Sequence, residues 1–186
     1  MAGEIDEAIE RADREAFTRQ PPKTLQARIN FLMKQFKTTK AVAQEIGVSQ
    51  RSVERYRTGE RKHPPKAIAE RIDAAVRARW QPQVRKRRQR QAATTGGITV
   101  ETRARFGYTA PVGTTDDGRF RRLTVHLPPA YAQRLFNARN TGASDQEMRQ
   151  IIAEGFKDIY FQDGGSRATG LSDVTLNDID YLDLDY

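Results

Sequence analysis

Residues 39–56, with the sequence TKAVAQEIGVSQRSVERY, decide the fold of the first half of the chain. Ala43 is small enough to let two helices cross closely, and Gly47 can adopt the left-handed conformation that ends a helix. Ser49 has a side chain that commonly caps the start of a helix. Apolar side chains for a shared core lie at Val42, Ile46, Val48 and Val53. The stretch therefore predicts a helix-turn-helix.

The helical domain extends beyond this stretch in both directions. Apolar residues at helical spacing predict one helix before it and one after it, at Leu25, Ile29, Leu32 and Phe36 and at Ile68, Ile72, Ala75 and Val76. Prolines at both ends limit the domain, which we expect over residues 22–80. Residues 1–21 are expected to form a separate, acidic N-terminal helix.

The second helix of the motif carries the residue types that recognise DNA. Its candidate DNA-binding residues are the polar side chains left outside the predicted core, namely Gln50, Arg51, Ser52, Arg55 and Arg57. In helix-turn-helix proteins such side chains face base edges and phosphates in the major groove. The alternative is a three-helix bundle that only resembles the motif.

The distribution of charge supports a polyanionic partner. Residues 1–22 carry a net charge of −3, residues 23–100 of +14, and residues 101–186 of −3, for a total of +8. Membrane binding would need bulky apolar residues opposite the basic ones, and no apolar run of about 18 residues occurs. The acidic N-terminus is unlike a secretory signal, so we expect a cytoplasmic, nucleoid-associated protein.

Residues 81–97 have the composition of a basic linker. Five of the six positions from 85 to 90 are basic, and the candidate DNA-binding residues there are Arg85, Lys86, Arg87, Arg88 and Arg90. We expect them to form an arm that follows DNA phosphates, which would raise affinity without adding sequence discrimination. The alternative is a solvated linker with no binding role.

The second half of the chain predicts a small α+β domain over residues 98–165, so the fold class is α+β. Strands are expected at 98–106 and 122–127, joined by a turn-rich loop into a β-hairpin. Two helices follow, the second beginning with a capping box at Ser144. The same order of elements matches a ribbon-helix-helix dimer, in which Arg122, Thr124 and His126 would project from the strand.

Residues 166–186 are predicted to form an acidic tail that binds a partner or shields a basic surface. A cluster of divalent-metal ligands at Asp178, Asp180, Asp183 and Asp185 is the less favoured alternative. The chain has two histidines, outside any metal-ligand spacing, and no cysteine. It also lacks a phosphate-binding glycine loop and a plausible nucleophile–histidine arrangement. We therefore expect neither an enzyme nor a cofactor or metal of the protein's own.

Four features together resemble one known family. They are the helix-turn-helix, VRKRR at 84–88, FGY at 106–108 and GTTDDGR at 113–119. In this combination the chain resembles the telomere-protecting terminal proteins of linear actinobacterial chromosomes and plasmids. The helix-turn-helix is generic, whereas the threonine-bearing loop is the specific part of the resemblance.

The resemblance implies that the protein is a primer for DNA synthesis. A threonine hydroxyl of the family accepts the first nucleotide, and it matches Thr114 here, with Thr115 as the alternate. The implied partners are telomeric DNA, a DNA polymerase and a telomere-associated DNA-binding protein, and a homodimer remains open. The polymerase would bring the divalent metal and the deoxynucleotide, dCTP by family analogy. The alternatives are a transcriptional or plasmid-copy regulator and an enzyme with its own nucleotidyl-transfer site.

Overall fold

The computed structural model describes residues 3–109 and 119–186, and these residues form two compact units. The helical unit comprises residues 17–83 and the α+β unit comprises residues 1–16 and 84–186. Eight α-helices and one three-stranded antiparallel sheet occur in the described ranges, which confirms the α+β class. None of the helices in these ranges combines the length and the apolar character needed to cross a bilayer.

The helical unit contains four helices, and they lie within the region where the sequence predicts a helical domain. They are α2 (Leu25–Phe36), α3 (Thr39–Ile46), α4 (Gln50–Thr58) and α5 (Lys66–Arg79). The side-chain oxygens of Thr24, Thr38 and Ser49 cap the first three by accepting hydrogen bonds from backbone amides three residues on. Most of the core predicted for this domain is confirmed, with Ile29, Leu32, Val42, Ile46, Val53 and Ile72 fully buried. Four predicted core residues are only partly buried and pack against it, namely Leu25, Phe36, Val48 and Ile68.

The sheet of the α+β unit has the order β2-β1-β3, so β1 (Ile98–Thr109) lies between β2 (Arg119–Leu127) and β3 (Asp173–Asp185). Both neighbours of β1 are antiparallel, and Val100 faces Val125 on one side and Leu184 on the other. Side chains alternate between the two faces of a strand. One face of the sheet is therefore buried, while the other is polar.

Helices pack against the buried face of the sheet. They are α1 (Glu4–Glu15), α7 (Pro129–Asn140) and α8 (Asp145–Gly155). The helix α6 (Pro82–Gln91) lies beside α1, to which its Arg85 and Gln89 side chains donate hydrogen bonds. π-helical turns follow α6 and α8, over Ala92–Gly96 and Phe156–Phe161. The core between helices and sheet includes Phe106 and Phe156, whose rings meet edge to face at 5.4 Å. The capping box predicted at Ser144 is confirmed.

The predicted independent N-terminal helix is part of the α+β unit. Ile5, Ala8 and Ile9 are completely buried on α1 and join the core beside the sheet and α8. The helix ends at Glu15, before the proline pair. The apolar residues of α1 are buried against β3 and α8, which lie more than a hundred positions later in the chain.

Residues 81–97, which the sequence predicts to be a basic linker, are helical from Pro82 to Gly96. The basic side chains of α6 are long, unbranched residues that favour a helix. Ala92 is buried against the core, which anchors the end of this helical stretch. Local composition alone, which indicates a linker, does not reveal these tertiary contacts.

Most of the predicted acidic tail, from Asp173 to Asp185, is the third strand of the sheet. Leu176, Leu182 and Leu184 of β3 are buried, and the aspartates between them face outward. The register shifts on both sides of Ala104, so β3 carries extra residues near Asp178 and Asp180. These bulges interrupt the simple alternation that would have marked a strand in the sequence.

The ribbon-helix-helix alternative agrees with the exposure of three polar side chains of β2 but not with the strand that pairs with β2. Arg122, Thr124 and His126 are exposed, as that alternative requires. However, β2 pairs with β1 of the same chain, and Arg122 and His126 bond to Glu101 and Thr99 on that strand. In a ribbon-helix-helix dimer the strand would pair with a second copy, so the intramolecular sheet favours the small α+β unit.

Candidate DNA-binding interface

The turn between α3 and α4 has the geometry of a helix-turn-helix. Gly47 adopts the left-handed conformation, with φ 69° and ψ 44°. The amide of Gly47 donates to the carbonyl of Gln44 at 3.3 Å, and the amide of Val48 donates to the carbonyl of Ala43 at 2.9 Å. This pair of bonds is the Schellman motif, which satisfies the last carbonyls of a helix. These two bonds stabilise the sharp change in chain direction between α3 and α4.

The start of α4 follows immediately from this turn. The Ser49 hydroxyl accepts a hydrogen bond from the Ser52 amide at 3.2 Å, and the two serine hydroxyls lie 3.0 Å apart. Val53 and Tyr56 are buried on the inner face of α4. Ala43 is only 4% exposed, as expected for the close crossing of α3 and α4. These contacts fix the orientation of the outer face of α4.

The outer face of α4 carries the predicted recognition residues. Gln50 and Arg51 are exposed in its first turn, Arg55 is exposed one turn later, and Ser52 is half-buried. Arg51 makes no ion pair with any described residue, whereas Arg55 pairs with Glu60 at 3.0 Å. Arg51 is therefore the cation of this helix that is most available to a ligand.

Arg57 has a different environment from the other candidates. It is exposed, and its guanidinium lies 3.5 Å from Glu54, which also accepts a hydrogen bond from Thr39 at 2.9 Å. This contact links α3 to α4 and orients the end of α4. We infer that Arg57 contributes first to the helix-turn-helix geometry and only second to any phosphate contact.

An open groove runs between α3 and the start of α4. It is lined by the exposed polar residues Lys40, Gln44 and Gln50, together with Ala43, Gly47, Val48 and Ser49. The helical unit has 15 basic and five acidic side chains, for a net charge of +10. A groove of this polarity in so basic a unit suits a nucleic-acid backbone.

The basic residues of α6 fall into two groups. Lys86, Arg87 and Arg90 are exposed and remain candidates for phosphate contacts. Arg85 is not such a candidate, because its side chain is 11% exposed and its guanidinium binds both carboxylate oxygens of Glu10 at 3.2 Å. Arg88 is partly covered and lies 3.9 Å from Asp185. The predicted arm is therefore one face of a helix.

Arg85 belongs to a buried ionic network with α1 and α7. Arg139 of α7 donates to Asp6 and to Glu10, each at 2.6 Å, and lies 3.6 Å from Asp13. Burial raises the pKa of Glu10, but the hydrogen bond from Arg139 and the charges of Arg85 and Arg139 outweigh it, so the pKa lies below its ordinary value. The network has a structural role in the α+β unit.

A second group of arginines lies on the polar face of the sheet. The guanidinium carbons of Arg103 and Arg105 lie 6.0 and 5.4 Å from the ring centre of Phe120, which is 45% exposed. Asp180 and Asp178 pair with these two arginines at 3.2 and 3.7 Å. This arrangement could not be predicted from the sequence, because the cluster forms only through the register of the strands. Its arginines are neutralised, so the helical unit remains the better candidate for DNA.

The predicted nucleotide acceptors Thr114 and Thr115 lie outside the described residues. The strands on either side are described, and the pairing of β1 with β2 runs up to Phe106 opposite Arg119. In residues 3–109 and 119–186, no three histidine, aspartate or glutamate side chains come together as ligands for a metal ion. The four aspartates proposed as metal ligands, Asp178, Asp180, Asp183 and Asp185, each lie within 4.0 Å of an arginine instead, as Asp183 does with Arg11 at 3.0 Å.

The chain matches no known family model, no curated protein and no solved structure.

Proposed function

We propose that this protein binds double-stranded DNA through α3 and α4, with the first turn of α4 in the major groove. The observation that carries this proposal is the exposure of Gln50, Arg51 and Arg55 on the face of α4 opposite Val53 and Tyr56. An α-helix with such side chains matches the width and the hydrogen-bonding pattern of that groove. The net charge of +10 on the helical unit adds attraction to phosphates of any sequence.

We further propose that the protein is the primer of telomere replication, as its resemblance to terminal proteins implies. The Thr114 oxygen attacks the α-phosphorus of a deoxynucleoside triphosphate, and a phosphoester bond forms between them. The bond to the β-phosphate breaks, pyrophosphate leaves, and the hydroxyl proton passes to a base of the polymerase or to water. The polymerase supplies the divalent metal, which stabilises the charge on the transferring phosphate. Further partners are telomeric DNA and the telomere-associated DNA-binding protein.

Two features of the chain support this proposal. Thr114 belongs to the segment that joins β1 to β2, and both strands are anchored in the sheet by antiparallel pairing. The recognition helix belongs to the other compact unit. DNA binding and nucleotide acceptance would therefore use separate parts of the chain, so that each activity can be removed without the other.

Covalent labelling tests the proposal against its alternatives. Purified protein is incubated with labelled dCTP, a telomeric template and a cell extract that contains the polymerase, and then denatured and separated by size. We expect label on the protein only when the extract is present. A protein that binds duplex DNA but never becomes labelled is a regulator, and one labelled without extract is itself a nucleotidyltransferase. Either outcome contradicts the priming proposal.

A further inference from the structure

A cavity of about 360 Å³ lies at one end of the sheet in the α+β unit. Its walls include Tyr108 near the end of β1 and Arg121 near the start of β2. Tyr160 and Phe161 border it from the π-helical turn after α8, and Arg167 and Leu171 from the connection to β3. The residues are distant in sequence, so no local motif would have revealed this cavity.

The aromatic walls of the cavity are held by the core. The Phe161 ring lies 5.0 Å from Tyr108 and 4.9 Å from Tyr160, in both cases edge to face. Phe161 also lies 5.8 Å from the fully buried Phe106. Rings that are fixed in this way present a preformed surface for a planar ligand, because little side-chain entropy is lost on binding.

Two arginines give the cavity a positive charge. The guanidinium carbon of Arg121 lies 5.9 Å from the Tyr108 ring centre and 6.0 Å from that of Phe161. Its Nε is buried and has no hydrogen-bond partner among the described residues. Neither Arg121 nor Arg167 forms an ion pair within these residues, although Arg122, the next residue on β2, binds Glu101 at 2.7 Å. A buried N–H group without an acceptor is unfavourable, and an anionic oxygen of a ligand would supply the missing acceptor.

Arg167 donates one hydrogen bond, of 2.8 Å, to the backbone carbonyl of Tyr160, and neither it nor Arg121 has a carboxylate partner among the described residues. Aromatic rings and such guanidinium groups together define the chemistry of a ligand. Rings favour stacking with a planar heterocycle, while guanidinium groups bind phosphate oxygens through paired hydrogen bonds. The volume lies within the range of about 300–1,000 Å³ that is typical of small-molecule sites. A nucleotide combines both chemical features in a molecule of suitable size.

We propose that this cavity binds a single nucleotide, with the base against Tyr160 and Phe161 and the phosphate on Arg121 and Arg167. The choice of a deoxynucleotide rests on the proposed priming function, whereas nucleotide binding itself does not.

Calorimetric titration of the full chain with dCTP, dCMP and inorganic tripolyphosphate tests the proposal. We expect both nucleotides to bind, and tripolyphosphate to bind at least about tenfold more weakly because it has no base to stack. Arg121→Gln should weaken dCTP binding about tenfold or more. Arg122→Gln is the matched control, since its side chain is on the opposite face of the same strand, and it should leave the affinity unchanged.

Several results would overturn the proposal. These are no binding of dCTP at millimolar concentration, equal binding of tripolyphosphate, and unchanged affinity in Arg121→Gln. The labelling experiment separates this proposal from the priming proposal. Binding that depends on Arg121 without covalent labelling leaves the cavity as a nucleotide site and contradicts priming. Normal labelling of a protein that binds no free nucleotide contradicts the cavity proposal and leaves priming intact.

Discussion

The hydroxyl of Tyr186 donates a hydrogen bond of 2.7 Å to the carboxylate of Asp13, 173 residues earlier in the chain. Asp13 is completely buried, and it also accepts hydrogen bonds from Gln89 at 3.0 and 3.2 Å. Burial and the nearby carboxylate raise the pKa of the Tyr186 hydroxyl above its ordinary value. One carboxylate therefore holds α1, α6 and the residue that follows β3 together in the α+β unit.

The first prediction concerns this buried carboxylate. Asp13→Ala should lower the free energy of unfolding by about 3–5 kcal/mol, because it removes one member of a buried ionic network and leaves the others unpaired. Tyr186→Phe should cost about 1–3 kcal/mol, since Asp13 loses one donor. Urea denaturation measures both values. The matched control is Asp180→Ala, which removes an exposed ion pair and should cost no more than about 1 kcal/mol. Equal costs for Asp13→Ala and Asp180→Ala would contradict the network.

The second prediction is a dependence of stability on pH. The pKa of Glu10 is lowered in the folded protein, so its contribution is complete above the ordinary value of 4.5 and disappears as the pH falls through the lower, folded value. Glu10→Gln should therefore destabilise the protein by about 2 kcal/mol at pH 7. The difference from the wild type should shrink below about pH 4.5. Urea denaturation across this range measures it, and a difference that grows on acidification would contradict the assignment.

The third prediction concerns the recognition helix. Arg51→Ala should weaken binding to the preferred DNA site by about 1–3 kcal/mol if Arg51 contacts a base through two hydrogen bonds. Arg55→Ala should have a smaller effect, because Arg55 must first leave Glu60. Fluorescence anisotropy with labelled duplexes measures both. Arg134→Ala, which removes an exposed arginine of α7, is the control of equal charge. Unchanged affinity in Arg51→Ala and Arg55→Ala would exclude α4 as the recognition helix.

The fourth prediction separates the two groups of basic residues on α6. The double variant Lys86→Gln, Arg90→Gln should weaken binding to all DNA sequences alike and should flatten the log–log salt dependence by about 1.8 if both contact phosphates. Arg85→Gln should instead lower the free energy of unfolding by about 1.5–3 kcal/mol and leave the salt dependence unchanged. Titrations at several salt concentrations measure the slopes. A double variant with the wild-type slope would show that α6 contacts no phosphate.

The helix-turn-helix could be predicted from sequence because its determinants are local. Gly47 ends α3 through its own left-handed conformation, and Ser49 caps α4 by accepting a hydrogen bond from the amide of Ser52, three residues later. The apolar residues of α3 and α4 repeat with the period of a helix. Sequence also predicts the two hairpin strands, although β1 extends to Thr109 and β2 begins at Arg119.

The elements that sequence did not predict depend on distant contacts. In the sequence, β3 is acidic and its apolar residues do not alternate regularly. It is recognisable as a strand only in the structure, where Leu176 and Leu182 are buried on the sheet with bulges between them. From the sequence, Arg85 is a candidate phosphate ligand. The structure instead pairs its guanidinium with Glu10, which is 75 positions earlier in the chain. The cavity near Tyr108 and Arg121 likewise needs the register of β1 and β2 before its residues come together.

The final prediction is that Thr114 is the nucleotide acceptor. In the labelling assay, Thr114→Ala should abolish covalent label and leave DNA affinity unchanged, because the recognition helix is in the other unit. Thr114→Ser should retain some label, since it keeps a hydroxyl on the same carbon. Thr115→Ala is the matched control. Loss of label only in Thr115→Ala would move the acceptor by one residue, and label on the double alanine variant would exclude both threonines.

Mass spectrometry of the protein recovered from cells after nuclease digestion tests the central claim most directly. Trypsin should release the peptide FGYTAPVGTTDDGR, residues 106–119. We predict that this peptide carries one deoxynucleoside monophosphate, and that fragmentation places it on Thr114. Complete recovery of the peptide without any nucleotide, from cells in which the linear replicon is being copied, would contradict the account.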